Sequence, residues 1–342
     1  MKAIQINQYV KTYSELRPIE VPAPTPEGDQ VLVTITHSAL NHVDLLYSRG
    51  AHQNNHIGLV KPPFVLGLEF AGVVARAPAA SGFKAGDLVW GADVGGFAEQ
   101  IAVKPSALQR LPAGWTLRDA AGVGAATAPV SYGALVRVAE VKPGQIVLVH
   151  AAAGGLGVVA VQIAHALGAK VIGTVGSEDK AQVVRRLPGV LGVVRYDRDG
   201  WEKDVLQLTG NVGVDSVYDT VGLVEKSIRC LKFGGKIVIA GFAGRGGKME
   251  TLAMNRVLLK GVKLLGYRFG ETGRRNPKEN QEIWRGLNEM VQRGQIKPVI
   301  YGTYAGLESV PGALDDLAAR KVWGKAIVEI QTPPSSKSPA KL

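Results

Sequence analysis

The stretch over residues 145–175, QIVLVHAAAGGLGVVAVQIAHALGAKVIGTV, constrains this chain more than any other. It opens on an unbroken apolar run, Ile146–Val149, of the kind carried by a strand covered on both faces. Gly154, Gly155 and Gly157 follow, then a helical pattern over 158–167 and a second apolar run over 171–175. Strand, glycine turn, helix, strand is the order of a dinucleotide-binding βαβ unit.

Each part has a physical reason. Residues without side chains let the backbone approach a pyrophosphate, whose charge meets the free N–H groups and the positive dipole end of the new helix. Gly157 lets helix and strand pack closely, and Ala152 replaces the first glycine of the usual G-x-G-x-x-G. A glycine cluster alone is shared with ordinary turns and helix ends; the complete unit carries the reading. Ala153, Gly154, Gly155 and Leu156 of the turn, with Gly173 of the second strand, are the candidate cofactor contacts.

A chain of 342 residues is expected to form about two domains. No apolar run reaches the roughly 18 residues that span a bilayer, and the start, MKAIQINQYVKTY, reads as a first strand rather than a signal peptide. Cys230 is the single cysteine, which excludes an internal disulfide and fits a reducing compartment. The net charge of +11 is dispersed, without a basic stripe interleaved with aromatics, so it reads as solvated surface plus a phosphate site. Neither nucleic acid nor a membrane is an expected partner.

Up to about residue 120 the chain alternates like a set of short strands with glycine and proline turns, QVLVTITHS at 30–38 being the clearest. Residues 119–138 are rich in Ala and Gly and are expected to carry a linking helix. From Pro143 strands and helices alternate as in a doubly wound sheet, through GVDSVYDTVG, GGKIVIAGF and GVKLLGY. A helix is expected over 277–293, then a last strand in RKVWGKAIVEI that returns to the first domain. The tail QTPPSSKSPAKL reads as disordered.

Taken in order, LNHVDLLYSRG, FVLGLEFAGVV, GDLVWG, GGFAE, AAAGGLG, GVDSVYDTVG, GGKIVIAGF and RKVWGKAIVEI resemble the medium-chain dehydrogenase/reductases. Among these the chain is most similar to the zinc-independent NADPH:quinone oxidoreductases related to zeta-crystallin. The resemblance implies an α/β protein: a GroES-like, mostly β catalytic domain and a Rossmann domain with a doubly wound parallel sheet, the cofactor lying in the cleft. The expected bounds are 1–122 for the first part of the catalytic domain and 123–267 for the cofactor domain. Residues 268–330 return to the catalytic domain, and 331–342 form a flexible tail. A homodimer is implied as well.

Zinc alcohol dehydrogenases of this superfamily hold their metal with Cys, His and Cys. Here the first position is Asn41 and the second, in GLE, is Leu68, so no metal site is expected. His52 and His56 lie in a Gly- and Asn-bearing loop without an obvious third ligand. Around the second strand tip, NAD-binding relatives carry an acidic residue; here Gly176-Ser177 stands instead, with Glu178, Asp179 and Lys180 following. The resemblance implies that the extra phosphate of NADPH meets Ser177, Lys180 and Tyr196. Ser177 could equally cap a helix, Lys180 be solvated and Tyr196 be a packing residue.

The same family positions place Asn41, Asp44 and Thr127 beside the nicotinamide and its ribose, with Phe242 and Ala243 passing close by. Asn41 can donate through its amide and Asp44 accept from a hydroxyl; both could instead stabilise the loop before a short helix. The family tyrosine aligns with Leu46, which leaves Tyr47 as the candidate donor, and Ser48-Arg49-Gly50 displaces the usual Arg. Lys325 is a cofactor candidate that could equally lie on the surface.

Without a metal Lewis acid, hydride transfer to a quinone or an α,β-unsaturated carbonyl is the expected reaction, with fixed donors stabilising the anion that forms. The rival readings are an enoyl-thioester reductase and a non-catalytic NADPH-binding protein with structural or RNA-binding duty. A cytoplasmic location is the default; the terminal Ala340-Lys341-Leu342 is a near match to a peroxisomal address.

Overall fold

The computed structural model describes residues 1–244 and 250–331. The expected tail beyond Gln331, with Ala340, Lys341 and Leu342, lies outside the described residues. The chain divides into two compact units: Met1–Ala126 with the chain from Ile300 onward, and Thr127–Val299.

In the first unit the strand Val31–Ala39 is central. It pairs antiparallel with Lys325–Glu329, Glu69–Arg76 and Gln100–Val103, and the sheet continues from Glu69–Arg76 through Leu88–Ala92 to Leu108–Arg110. Val31, Val33 and Ile35 point into an apolar cluster with Phe70, Val74 and Val89, as the alternation of QVLVTITHS predicts. From Thr36 to Ala39 the alternation stops and every residue is buried. That is tolerated because the polar side chains find backbone partners: Thr36 Oγ1 donates to Ala71 O at 3.2 Å and Ser38 Oγ to Glu69 O at 2.6 Å. A second cluster packs Leu40, Leu45 and Tyr47 against Ile4, Leu66, Leu314 and Val328.

The register of this sheet decides which residues meet. Ile327 lies opposite Ala39, and Ala39 opposite Glu69. Two residues further along the antiparallel pair, Lys325 therefore falls beside Asn41, and both fall beside Glu69.

The second unit is a six-stranded, all-parallel sheet. Its order is Val190–Arg195, Lys170–Val175, Ile146–Val149, Val214–Asp219, Leu231–Ile239 and Lys263–Gly266. The chain order 3-2-1-4-5-6 is that of a doubly wound nucleotide-binding sheet, whose switch point lies between Ile146–Val149 and Val214–Asp219. The apolar runs read from the sequence are its central strands, and Leu148, Ile172, Val217, Ile237 and Trp201 lie in one buried cluster.

Two expected boundaries move. The second unit runs to Val299 rather than 267, because the helix Pro277–Gln292 buries Ile283, Leu287 and Val291 within it. Gln162 then clasps the following chain at Lys297, accepting from its N–H at 2.8 Å and donating to its carbonyl at 3.1 Å. The first unit likewise runs to Ala126, past the expected 122, because the Ala126 N–H donates to Glu69 Oε1 at 2.7 Å. The single helix expected over 119–138 is three pieces: Leu117–Val123, Ala128–Tyr132 and a π-helical turn over Gly133–Val138.

Candidate active site

The strand Ile146–Val149 ends in a turn through Ala151, whose φ of 48° lies in the left-handed region, a conformation that costs a non-glycine residue about 1 kcal/mol. Ala152 N–H donates to Thr174 O at 3.0 Å and Gly154 N–H to Ala151 O at 2.8 Å, and Gly154 caps the helix Gly155–Ala166. Ala153, Gly154, Gly155 and Leu156 thus stand together at a helix N-terminus, whose free N–H groups suit a pyrophosphate. A Cβ on Gly157 would lie 2.3 Å from Ala151 O and 2.7 Å from Ala152 Cα, so this position must be glycine.

Gly173 is constrained by packing. A Cβ there would lie 2.8 Å from Ala152 Cβ and 2.8 Å from Val184 Cγ1. The methyl group that replaces the first motif glycine is accommodated because the facing residue of the next strand has none.

The helix Glu178–Arg185 starts from Ser177, whose side chain accepts from the Lys180 N–H at a long 3.5 Å. Ser177 is therefore a cap, as its alternative reading holds. Tyr196 lies over the same turn: its ring would be 3.4 Å from a Cβ on Gly176. Ser177, Lys180 and Tyr196 thus gather around one strand tip. The neighbouring carboxylate is occupied, since Glu178 pairs with Arg185 at 2.5 Å and with Arg195 at 3.9 Å. The Arg185 hydrogen bond holds its carboxyl below the usual range.

Thr127 is buried at the start of the helix Ala128–Tyr132, and one turn on Ser131 Oγ donates to Leu156 O at 2.9 Å, tying that helix to the glycine turn. Phe242 and Ala243 follow the strand Leu231–Ile239, exposed, with the Ala243 N–H donating to Thr220 O at 3.0 Å. Asp219 holds the adjoining loop by accepting from the N–H groups of Val221, Gly222 and Leu223.

His150 is a buried feature that sequence reasoning missed. Its Nδ1 lies 2.7 Å from Thr174 Oγ1 and its Nε2 2.7 Å from Ser227 Oγ. Ser227 donates its own proton to Leu223 O at 2.6 Å, so it accepts from Nε2–H, and Nδ1 accepts from Thr174. Burial pushes the His150 pKa down, which keeps the ring neutral. The network joins the ends of two neighbouring strands to the helix Val224–Cys230.

In the first unit Asn41, Glu69 and Lys325 form a closed triangle. Lys325, 2 % exposed, donates to Glu69 Oε2 at 2.6 Å, to Asn41 Oδ1 at 2.7 Å and to Leu40 O at 3.1 Å. Asn41 Nδ2 donates to Glu69 Oε2 at 2.9 Å and to Ala39 O at 3.2 Å. Lys325 is therefore no surface lysine. The Asn41 amide, expected to donate to a substrate, has both hydrogens engaged inside this cluster. Glu69 was missed, although one acidic residue in FVLGLEFAGVV and one basic residue in WGKAIVEI are charges placed in buried strands.

Asp44 follows in the helix His42–Ser48. Its Oδ2 accepts from the Asn41 N–H at 2.7 Å, and its Oδ1 is buried without a hydrogen-bond partner among the described residues. Burial raises its pKa to about 7, against the Asn41 N–H and the Lys325 charge, which lower it, while Glu69 adds a smaller push upward. Tyr47 lies in the core, 5 % exposed, with its hydroxyl accepting from Asn54 Nδ2 at 2.9 Å and its ring 4.8 Å from that of His52. His52 itself accepts from Asn54 N–H and so shapes the loop.

The residues present do not fit a catalytic zinc. The first-ligand position is an amide bound to an ammonium, the second is Leu68, and among the described residues no three His, Cys, Asp or Glu converge. The second unit does fit a dinucleotide: a glycine turn whose close approach tolerates no Cβ, and a helix N-terminus.

Sheet order and glycine turn together define a dinucleotide-binding fold. Residues 27–113 match the alcohol dehydrogenase GroES-like domain, and residues 155–290 match the zinc-binding dehydrogenase model. The chain is 33% identical over 328 residues to quinone oxidoreductase-like protein 2 of Bos taurus, covering 92% of this chain and 90% of that one. A quinone oxidoreductase of Pseudomonas syringae pv. Tomato DC3000 superposes with a TM-score of 0.83 at 30% identity, covering 96% and 99% of the two chains. A mycobacterial protein complexed with NADPH does so with a TM-score of 0.85 at 28% identity, covering 96% and 99%. The chain belongs to the medium-chain dehydrogenase/reductases, among the quinone oxidoreductases, and is an oxidoreductase.

Proposed function

We propose that the protein is an NADPH-dependent, zinc-independent reductase of quinones or α,β-unsaturated carbonyls. The observation that carries this is the Asn41–Glu69–Lys325 triangle, which puts an internal ion pair where dehydrogenases of alcohols keep metal ligands. With no group there to acidify an alcohol, the acceptor must already be electron-poor. NADPH, when bound, supplies the hydride. Gly154 and Gly155 at the helix N-terminus hold the pyrophosphate, and Lys180 with Ser177 receives the doubly charged phosphate beside Tyr196. Glu178, paired with two arginines, does not repel it. Asp44 accepts from a ribose hydroxyl through Oδ1, with Thr127, Phe242 and Ala243 bounding the nicotinamide. Tyr47 packs, and the anion formed on the acceptor is protonated from water.

A homodimer is part of this proposal; supporting it, among the described residues the strand Lys263–Gly266 is an edge of its sheet, and Phe233, Met254, Leu258 and Leu259 are all more than 60 % exposed. The enzymatic reading is tested by following NADPH absorbance with a para-quinone, an enal and a simple alcohol plus NADP. Turnover of the first or second is expected; activity with the alcohol alone refutes the proposal.

A further inference from the structure

We infer that Lys325 is a positioning residue: its ammonium, held between Glu69 and the Asn41 amide oxygen, fixes which way that amide points and so sets the entrance of the helix that carries Asp44. The inference rests on the proposed reading only in taking Asn41 and Asp44 as the wall beside the nicotinamide.

An asparagine amide can turn over at little cost when its neighbours are indifferent. Here they are not. In the observed orientation Oδ1 faces the ammonium at 2.7 Å and Nδ2 faces the carboxylate at 2.9 Å. The reverse would set an NH2 group against a cation and a carbonyl oxygen against an anion in a buried place where both contacts are weakly screened. All three ammonium hydrogens are used, on Glu69, Asn41 and Leu40. Glu69 is fixed from its other oxygen by the Ala126 N–H. The backbone of Asn41 then donates to Asp44 Oδ2, so the orientation is passed to the carboxyl whose second oxygen has no partner among the described residues.

Removing one charge alone would leave the other buried and unpaired, and such variants report stability more than function. The informative variant is Glu69→Gln with Lys325→Met, which removes both charges and keeps the volumes close. A purely structural ion pair predicts that melting temperature and turnover both return to near the wild-type values. The positioning role predicts a split: the melting temperature returns, while kcat with a quinone stays about tenfold or more below wild type and the KM for NADPH changes less than about threefold. Joint recovery overturns the inference.

A second measurement needs neither turnover nor the variant to fold. In the wild-type protein the Asn41 side-chain NH2 hydrogens should exchange with solvent far more slowly than those of an exposed asparagine such as Asn211, read by NMR of the side-chain amides. Fast exchange at Asn41 overturns the inference. A wild-type protein that turns over no acceptor refutes the functional proposal instead, and leaves this amide measurement to decide the positioning role.

Discussion

Asp44 makes a quantitative statement about pH. Its carboxyl is buried and its pKa stands at about 7, against 3.8 for a free aspartate. The native state therefore keeps a proton over that interval which the unfolded chain has released. Stability must fall as pH rises from about 4 to about 7, since each unit within the window takes about 1.4 kcal/mol from the native state. The full penalty is about 4 kcal/mol above neutrality, and none of it is present below about pH 4. The charged groups that face Asp44 are Lys325, which reduces the penalty, and Glu69, which adds to it. Asp44→Asn keeps an oxygen to accept from the Asn41 N–H but cannot ionise. Denaturant unfolding of wild type and variant should thus show a gap that moves in favour of the variant by a few kcal/mol between about pH 5 and about pH 8. A buried amide in place of Oδ1 adds only an offset that does not vary with pH. A gap that stays constant across the range would refute the assignment of a proton to this site.

Lys180→Ala should raise the KM for NADPH at least about tenfold while leaving that for NADH within about twofold, because it removes a partner only of the extra phosphate; equal effects would count against NADPH. Gly173→Ala should lower the melting temperature, since its new methyl meets Ala152 Cβ at 2.8 Å, and adding Ala152→Gly should recover part of the loss. If the rescue fails, Val184 and not Ala152 governs the contact. Leu258→Glu, on a residue 80 % exposed, should turn a dimer into a monomer by light scattering without lowering the melting temperature of the monomer; an unchanged mass would place the dimer contact elsewhere.

The sheet of the second unit was legible in the sequence because a strand covered on both faces needs an apolar run, and 146–149 and 171–175 supply it. The glycine turn was legible for a related reason: close approach leaves few residues that fit, and Gly157 is such a place. What the sequence does not display is pairing across long separations. The packing of Gly173 was not legible because its partner, the methyl of Ala152, lies in the turn after another strand. Lys325 read as a surface or cofactor lysine because Glu69 is 256 positions away. A lone charge inside an apolar strand signals a buried partner, but which partner depends on register. His150 gave no local signal at all, since Thr174 comes from another strand and Ser227 from a helix. The boundary at 299 depended on the clasp of Gln162 on Lys297, which no local pattern announces.

The separation between Glu69 and Lys325 also bears on synthesis. At roughly 5–20 residues per second, a ribosome needs on the order of 10–50 s to reach the lysine after the glutamate has emerged. Throughout that interval the nascent amino-terminal piece holds a carboxylate with no cation to close against, while the contiguous stretch 127–299 lacks nothing it needs and can settle first. A premature stop a few codons before the lysine would therefore release a chain whose cofactor half is whole and whose amino-terminal half cannot finish.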